Sequence, residues 1–197
     1  KEKHLSELKA LKAQIHPHFM LNTLNAIYSH AVVEDTSPKL SQLILQFSDT
    51  LKYVVYEGQQ KYVSLSRELS HIENFIRLQQ FRLEDKVDVH FKENISDKEL
   101  LIPPILLINF IENAFKHTTG LRGNQHKIEI ELKEKEGILT FFCRNPFRLT
   151  EKQNHAQQGV GLENTLKRLE LLYPKQHEIK IDKSNEHFTV HLKIDLK

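Results

Sequence analysis

The sequence predicts an α+β protein, in which a helical N-terminal part is followed by a mixed β-sheet with helices on one face. In the first 85 residues, apolar side chains recur at spacings of three and four, which is typical of amphipathic helices. From residue 86 onward, several short segments alternate apolar and polar side chains, as strands do. These later elements follow in the order strand, helix, two strands, loop, helix and two strands, which favours a layered α/β sandwich. We therefore expect two domains, 1–85 and 86–197.

Three helices are predicted before residue 85. The first contains Pro17, which removes a backbone donor and predicts a kink. The second is predicted over residues 37–56, where Ser37 is a suitable N-cap and Gly58 follows the end. The third is predicted over residues 64–83, where apolar side chains again follow helical spacing.

The second half alternates between strand and helix patterns. A hairpin turn is predicted at Glu136-Gly137, and the polar segment 148–158 is predicted to be a mobile loop because it has no periodicity. Helices are predicted at 104–118 and 162–172, and strands at 87–91, 127–133, 138–144, 177–182 and 187–196.

Composition and charge argue against several classes of protein. The 28 basic and 26 acidic side chains give a net charge of +2, so we expect no nucleic-acid partner. The single cysteine, Cys143, lies in an apolar run, which excludes an internal disulfide and predicts a buried thiol. No apolar run approaches the roughly 20 residues that span a bilayer. Because the chain begins at Lys1 inside a helical pattern, we expect it to be cut from a longer protein.

Five polar residues lie on one side of the helix predicted at 104–118. They occupy positions i, i+3, i+4, i+7 and i+8, while apolar residues line another side. Asparagine is a mediocre helix former, so two asparagines within a helix suggest a ligand. An amide oxygen of Asn113 can bind Mg²⁺ directly or through water, and Lys116 can meet a phosphate. A solvated helix face is the alternative. The five residues are Asn109, Glu112, Asn113, Lys116 and His117.

A glycine-rich segment precedes the helix predicted at 162–172. Gly159 and Gly161 flank Val160 and are followed by Leu162. Glycines before a helix let the backbone approach a phosphate, whose charge is stabilised by the helix N-terminus. An ordinary loop-to-helix turn is the alternative, because the motif is short.

His18 lies between two amide side chains on the first predicted helix. Gln14, His18 and Asn22 are spaced by four residues, so both amides can orient the imidazole. A neutral imidazole with a pKa of about 6.5 has a free nitrogen at neutral pH and can act as a nucleophile. A histidine that only packs between helices is the alternative.

Together these segments resemble the LytS-like branch of sensor histidine kinases, also called the internal-region histidine kinases. QIHPHFMLNTLN (14–25) resembles the phosphoacceptor motif, LIPPILLINFIENAFKH (101–117) the N box, and GVGLENTLKRLELLY (159–173) the glycine box with its helix. FIRLQQFRLEDKV (75–87) resembles the segment that joins the two domains. The resemblance covers almost the whole chain. It implies that 1–85 is a dimerisation and phosphoacceptor domain and that 86–197 is a GHKL-type ATP-binding domain.

The resemblance also implies roles for individual residues. His18 would be autophosphorylated, Asn113 would hold Mg²⁺, and Glu112 would be an acid/base or water-orienting candidate. Residues that face ATP would be Asn109, Asn113, Lys116, His117, Asn145, Gly159, Val160, Gly161 and Leu162. The implied cofactors are ATP and Mg²⁺, and the implied partners are a second copy of the chain and the receiver domain of a response regulator. The parent protein would be membrane-anchored, with this chain in the cytoplasm.

Four positions depart from the superfamily pattern. Asn145 replaces the aspartate that accepts from the adenine amino group, although an amide can still accept there and can also donate to a ring nitrogen. Pro146 and Phe147 replace flexible glycines. Phe19 follows the phosphoacceptor histidine in place of an acidic base, so Glu112 or water would have to take the proton.

The leading hypothesis is an ATP-dependent protein-histidine kinase core of a two-component system, in which His18 takes the γ-phosphoryl group and passes it to a response-regulator aspartate. The alternative is a catalytically weak dimeric scaffold with a degenerate nucleotide site. A third hypothesis, an ATPase that moves a partner, leaves His18 without a use.

Overall fold

A computed structural model describes most of the second half of the chain and part of the first. The described residues are Thr23, Ile27, 38–83, 86–119, 121, 126–147, 160–184 and 186–197. The predicted kink at Pro17 and the predicted loop at 148–158 lie outside these residues, as do His18 and Gly159.

Four α-helices and one π-helical turn are described. The last turn of the second predicted helix is a π-helix, which Gly58 follows. The N–H of Gly58 donates to the Tyr53 carbonyl at 2.7 Å. The helices are α1 (Pro38–Lys52), the π-helix (Tyr53–Glu57), α2 (Leu65–Leu83), α3 (Ile108–Thr119) and α4 (Val160–Leu172). None of these described helices is long and apolar enough to span a membrane.

A mixed five-stranded sheet forms the centre of the second half. Its strands are β2 (Val87–Ile95), β4 (His126–Lys135), β5 (Ile138–Pro146), β6 (His177–Ser184) and β7 (His187–Asp195). The strand order is β2-β4-β5-β7-β6, where β2 and β4 are parallel and the other neighbours are antiparallel. The strands β1 (Val63–Ser64) and β3 (Leu101–Ile102) form a separate antiparallel pair. At the predicted hairpin, Glu136 and Gly137 have φ values of 56° and 83°, as a type I′ turn requires.

The core lies between the sheet and the helices on one of its faces. Alternation decides which side chains enter it: Ile128, Ile130 and Leu132 of β4 are buried, whereas the intervening side chains are not. Helix α3 packs its apolar side onto β4 and β5, and Cys143 of β5 is buried, which raises its pKa to about 12. The predicted α+β architecture with helices on one face is confirmed.

Helix α2 contributes to two apolar clusters. Its buried side chains Leu65, Ile72 and Phe75 belong to the core under the sheet. Leu78, near the C-terminal end of α2, instead belongs to a smaller apolar cluster. The other buried members of this cluster are Ile27 and, from α1, Leu43 and Phe47. Because α2 contacts both α1 and the sheet-containing part, it is the element that joins them. The division into 1–85 and 86–197 stays a prediction.

Candidate functional site

The five polar residues predicted to share one side of a helix lie on α3, on the side that the core leaves open. Asn109, Glu112, Asn113 and His117 are half-buried and Lys116 is exposed. The opposite side of the helix is packed into the core through Ile108, Phe110, Ile111, Ala114, Phe115 and Thr118. The amphipathic pattern therefore places amide, carboxylate, ammonium and imidazole groups at one accessible surface.

Asn109 has a structural contact at the start of α3. Its side-chain nitrogen donates to the carbonyl oxygen of Ile105, 3.1 Å away. Ile105 has a φ of 60°, in the left-handed region that a β-branched residue rarely adopts. The helix predicted to begin at 104 consequently begins at Ile108, after a turn that Asn109 helps to hold.

Glu112 interacts electrostatically with the end of α2. Burial lowers the pKa of Arg82, and the negative charge of Glu112 opposes that effect. Arg82 also donates to Oε1 of Gln79 at 2.6 Å, which orients the guanidinium. A cation of α2 therefore lies near the side chain of Glu112.

A cationic cluster surrounds His117 at the C-terminal end of α3. The imidazole packs edge-on against Phe147, with ring centroids 5.7 Å apart, and Lys183 lies 5.9 Å from the centre of the same phenyl ring. Burial lowers the pKa of His117, and the charges of Lys116 and Lys183 lower it further. A neutral imidazole flanked by two ammonium groups is suited to a polyanionic ligand.

Asn145 supplies a buried acceptor near this cluster. Its side chain is only 1% exposed, its nitrogen donates to the Pro146 carbonyl at 2.7 Å, and its Oδ1 has no hydrogen-bond partner among the described residues. The side-chain amide was expected both to accept and to donate, but in the structure its nitrogen is already bonded to the backbone. An unpaired buried carbonyl oxygen costs about 1–3 kcal/mol, so an amino group that fills this position would be stabilised.

The glycine-rich segment overlaps the start of α4, which begins at Val160 and not at 162 as predicted. Val160 is the first helical residue, Gly161 is exposed, and Leu162 packs partly against the core. A Cβ added at Gly161 would meet no atom of the described residues within 4 Å, so packing against them does not explain the glycine. Open space at the first turn of a helix is compatible with close approach of a phosphate.

A buried charge that the sequence analysis missed lies beneath the start of α3. The Glu68 carboxylate is fully buried and accepts hydrogen bonds from the Tyr53 hydroxyl and from the backbone N–H groups of Ile105, at 3.0 Å, and Leu107, at 3.4 Å. Burial raises the pKa of Glu68, whereas these hydrogen bonds and the charge of Arg168 lower it. The signal was present in the sequence, because Glu68 shares the helical spacing of the apolar residues of α2.

Metal binding would depend on the nucleotide. Among the residues that the structure describes, no three His, Cys, Asp or Glu side chains are grouped to hold a metal ion. One amide oxygen, from Asn113, fits Mg²⁺ that is bound mostly by phosphates and water, which is how this ion is commonly held. The donor set therefore fits Mg²⁺ that arrives with a triphosphate.

Comparison with known proteins supports this interpretation of the fold. The histidine kinase family model matches residues 6–87. The sensor protein LytS of Bacillus cereus is 30% identical over 154 residues, which are 78% of this chain and 26% of that protein. LytS of Staphylococcus saprophyticus is 28% identical over 192 residues, which are 92% of this chain and 32% of that protein. A solved bacterial phosphotransferase shares the fold, with a TM-score of 0.50, 11% identity and coverage of 94% of this chain and 95% of the other.

These matches and the fold agree on the class, which is that of the histidine kinases. Within this class, the chain belongs to the LytS-like sensor histidine kinases. It spans about a quarter to a third of the length of these relatives.

Proposed function

We propose that the chain is the ATP-dependent kinase core of a two-component sensor, which autophosphorylates His18 and then passes the phosphoryl group to an aspartate of a response regulator. The observation that carries the proposal is the buried Oδ1 of Asn145, which has no hydrogen-bond partner in the part of the chain that the structure describes. Asn145 precedes Phe147 by two positions in the sequence, and the Phe147 ring packs against His117 in the cationic cluster of α3. An amino-bearing base at Asn145 and a triphosphate at α3 would satisfy both features at once.

The residues of α3 would bind the triphosphate. Lys116 and His117 would donate to phosphate oxygens, and Asn109 would help to fix the phosphate end while its nitrogen holds the Ile105 carbonyl. Asn113 would hold Mg²⁺, which when bound neutralises phosphate charge during phosphoryl transfer. The backbone of Gly159, Val160, Gly161 and Leu162 would approach the phosphates.

The chemical step would be an in-line displacement by His18. A ring nitrogen forms a bond to the γ-phosphorus while the bond between that phosphorus and the β–γ bridging oxygen breaks, and ADP leaves with the bond electrons. The proton that the ring loses would go to Glu112 or to water. In the second step a carboxylate oxygen of a receiver-domain aspartate would form a bond to the phosphorus while the nitrogen–phosphorus bond breaks, and the ring nitrogen would take up a proton, which regenerates neutral His18.

Incorporation of γ-labelled phosphate tests the proposal. Wild type should incorporate label, and His18→Gln should bind Mg-ATP as wild type does but incorporate none. Asn113→Asp or Asn113→Ala should lose Mg-ATP binding by calorimetry. His30→Gln is a matched control for the histidine change, since it replaces another histidine of the N-terminal part. Label retained by His18→Gln would falsify the assignment.

A catalytically weak scaffold is the second candidate, and the surroundings of Asn145 favour it. Pro146 and Phe147 follow directly, and the Phe147 ring is buried against His117 and Phe188. If this packing is rigid, adenine cannot enter. A flat calorimetric titration of the folded protein with Mg-ATP would support the scaffold, whereas saturation at micromolar to millimolar ATP would support the kinase.

The partners form part of the same proposal. We expect a homodimer through the N-terminal helices, a response regulator as phosphoryl acceptor, and a parent protein anchored in the membrane with this part in the cytoplasm. Light scattering tests the dimer. Transfer of label from the phosphorylated chain to an isolated receiver domain tests the acceptor.

A further inference from the structure

Glu68 connects three separate parts of the chain through one carboxylate. Its Oε2 accepts from the Tyr53 hydroxyl and from the Ile105 N–H, and its Oε1 accepts from the Leu107 N–H. A buried carboxylate is costly unless its oxygens are paired, so these donors are needed in the folded state. The π-helix after α1, the first turn of α2 and the loop before α3 are thus held at one point.

The loop before α3 depends on this carboxylate for its shape. Ile105 keeps a left-handed φ of 60°, its N–H binds Glu68, and its carbonyl accepts from Asn109. A strained conformation of this kind persists only where surrounding contacts fix it. Glu68 provides such a contact for the N–H of Ile105, and Asn109 provides one for the Ile105 carbonyl. The position of α3, with Asn109 and Asn113 on its open side, therefore depends on Glu68.

The π-helix also contacts this loop directly. A Cβ at Gly58 would lie 2.7 Å from Cδ1 of Ile105 and 2.5 Å from the Val54 carbonyl oxygen, so the backbone there abuts the loop. The Tyr53 ring stacks on His71 of α2, with centroids 4.3 Å apart and an interplanar angle of 18°. Burial raises the pKa of the Tyr53 phenol, so the hydroxyl stays protonated and donates to Glu68.

Arg168 extends the contact to the helix that follows the glycine-rich segment. Its guanidinium is buried and donates to the Pro104 carbonyl at 2.7 Å, while its charge stabilises the carboxylate form of Glu68. The two helices that would bind the triphosphate, α3 and α4, are therefore both tied to the loop that Glu68 holds.

We propose that Tyr53 and Glu68 are positioning residues that couple the placement of α1 to the geometry of the nucleotide helix α3. This inference rests on the proposed kinase function and concerns how that site is regulated. A shift of α1 relative to α2 would move the π-helix and remove the Tyr53 hydroxyl from Glu68. The carboxylate would then release or reorient the Ile105 N–H, and Asn109 and Asn113 would move with α3. Coupling of this kind requires only two arrangements that differ in this hydrogen bond.

Tyr53→Phe tests the coupling, with Tyr56→Phe as a matched control. Both residues lie in the π-helix, but the Tyr56 side chain is 72% exposed and the change there is otherwise identical. In the full chain, Tyr53→Phe should raise the Kd for Mg-ATP about tenfold, because Asn109 and Asn113 move with α3, and should lower the rate of phosphate incorporation by a similar factor at an ATP concentration below the wild-type Kd. Tyr56→Phe should leave both quantities unchanged.

Glu68→Gln provides a second test. The amide has the same size but only one accepting oxygen, so the loop before α3 should loosen and the Kd for Mg-ATP should rise about tenfold. Adding Tyr53→Phe to Glu68→Gln should then lower the rate no further, because both changes break the same link. If Glu68→Gln does not fold, as judged by circular dichroism, Tyr53→Phe alone decides.

The possible outcomes are distinct. A Tyr53→Phe rate within about twofold of the Tyr56→Phe rate would overturn the coupling and leave Glu68 a purely structural group, whatever the change in melting temperature. If Tyr53→Phe lowers the rate of the Glu68→Gln protein further, the two effects are independent and the coupling is overturned as well. A wild-type chain that binds Mg-ATP but incorporates no phosphate would overturn the kinase function itself, and this inference with it.

Discussion

The guanidinium of Arg168 donates a hydrogen bond to the carbonyl oxygen of Pro104, 2.7 Å away, although 64 residues separate them in the chain. The contact joins α4, which follows the glycine-rich segment, to the turn that leads into α3. Arg168 is buried, and burial lowers its pKa while the negative charge of Glu68 raises it. The buried guanidinium of Arg168 therefore connects α4 to the turn before α3, since it binds the Pro104 carbonyl and attracts the Glu68 carboxylate.

Replacement of Arg168 by methionine should therefore destabilise the fold. Arg168→Met leaves the buried Glu68 without its cation and the Pro104 carbonyl without its donor, so the free energy of unfolding should fall by about 2–4 kcal/mol. Urea denaturation measures the change. Lys167→Met is the control, since this exposed neighbour pairs with the exposed Glu163 and should change stability by less than about 0.5 kcal/mol. Equal effects of the two changes would contradict the buried-cation argument.

Acid should destabilise the protein in part through His71. Burial lowers the pKa of His71 from 6.5 to about 4, so the unfolded chain binds the proton more readily than the folded chain. Stability from this group is complete above pH 6.5 and is lost as the pH falls toward 4, by about 3 kcal/mol in total. In His71→Phe the ring can still stack on Tyr53, so urea unfolding at several pH values should show a shallower acid loss than in wild type. Parallel curves for the two proteins would contradict the prediction.

The Asn145 oxygen should matter for ligand binding more than for folding. Asn145→Leu removes an acceptor that has no partner among the described residues, which stabilises the fold, and also the donor to the Pro146 carbonyl, which destabilises it. These effects offset, so the free energy of unfolding should change by less than about 1 kcal/mol. If Asn145 accepts from the adenine amino group, as proposed, the Kd for Mg-ATP should rise about tenfold or more. Calorimetry and urea unfolding measure the two quantities. Asn94→Leu, at an exposed position of β2, should change neither Kd nor fold. Loss of stability without loss of affinity would remove Asn145 from the site.

Local pattern was sufficient for most of the architecture. The strand predicted at 138–144 is Ile138–Pro146 in the structure, and the turn at Glu136-Gly137 has the expected positive φ values. These features depend on neighbouring residues, so they can be recognised in the sequence. The beginning of α3 could not be predicted, because Glu68 holds Ile105 out of the helix from 37 residues away.

The candidate site was predictable to a similar extent. Helical spacing was sufficient to place the polar residues of α3 on one side. The contact of His117 with Phe147 depends instead on how the end of β5 lies against α3, which no spacing reveals. The buried environment of Asn145 is likewise a product of long-range packing. Roles for His18 and Gly159, which lie outside the described residues, stay predictions.

Gly161 should show opposite effects of one substitution on stability and on binding. It lies in the first turn of α4, where a Cβ would contact no atom of the described structure within 4 Å. Alanine is a better helix former than glycine, so Gly161→Ala should raise the free energy of unfolding by about 0.5–1 kcal/mol. If the backbone here approaches a phosphate, the added methyl group should weaken Mg-ATP binding several-fold at the same time.

Gly58→Ala is the contrasting substitution. Its Cβ would lie 2.5 Å from the Val54 carbonyl oxygen, so the backbone must shift and the free energy of unfolding should fall by about 1–3 kcal/mol. Urea unfolding of both variants measures how the added methyl group changes the packing. Calorimetry of both variants measures how it changes the binding of Mg-ATP. If Gly161→Ala binds Mg-ATP as tightly as wild type, the glycine is explained by neither packing nor phosphate, and the glycine-rich segment loses its place in the nucleotide site. Tighter folding with weaker binding would mean that Gly161 is kept for a ligand at a cost in stability.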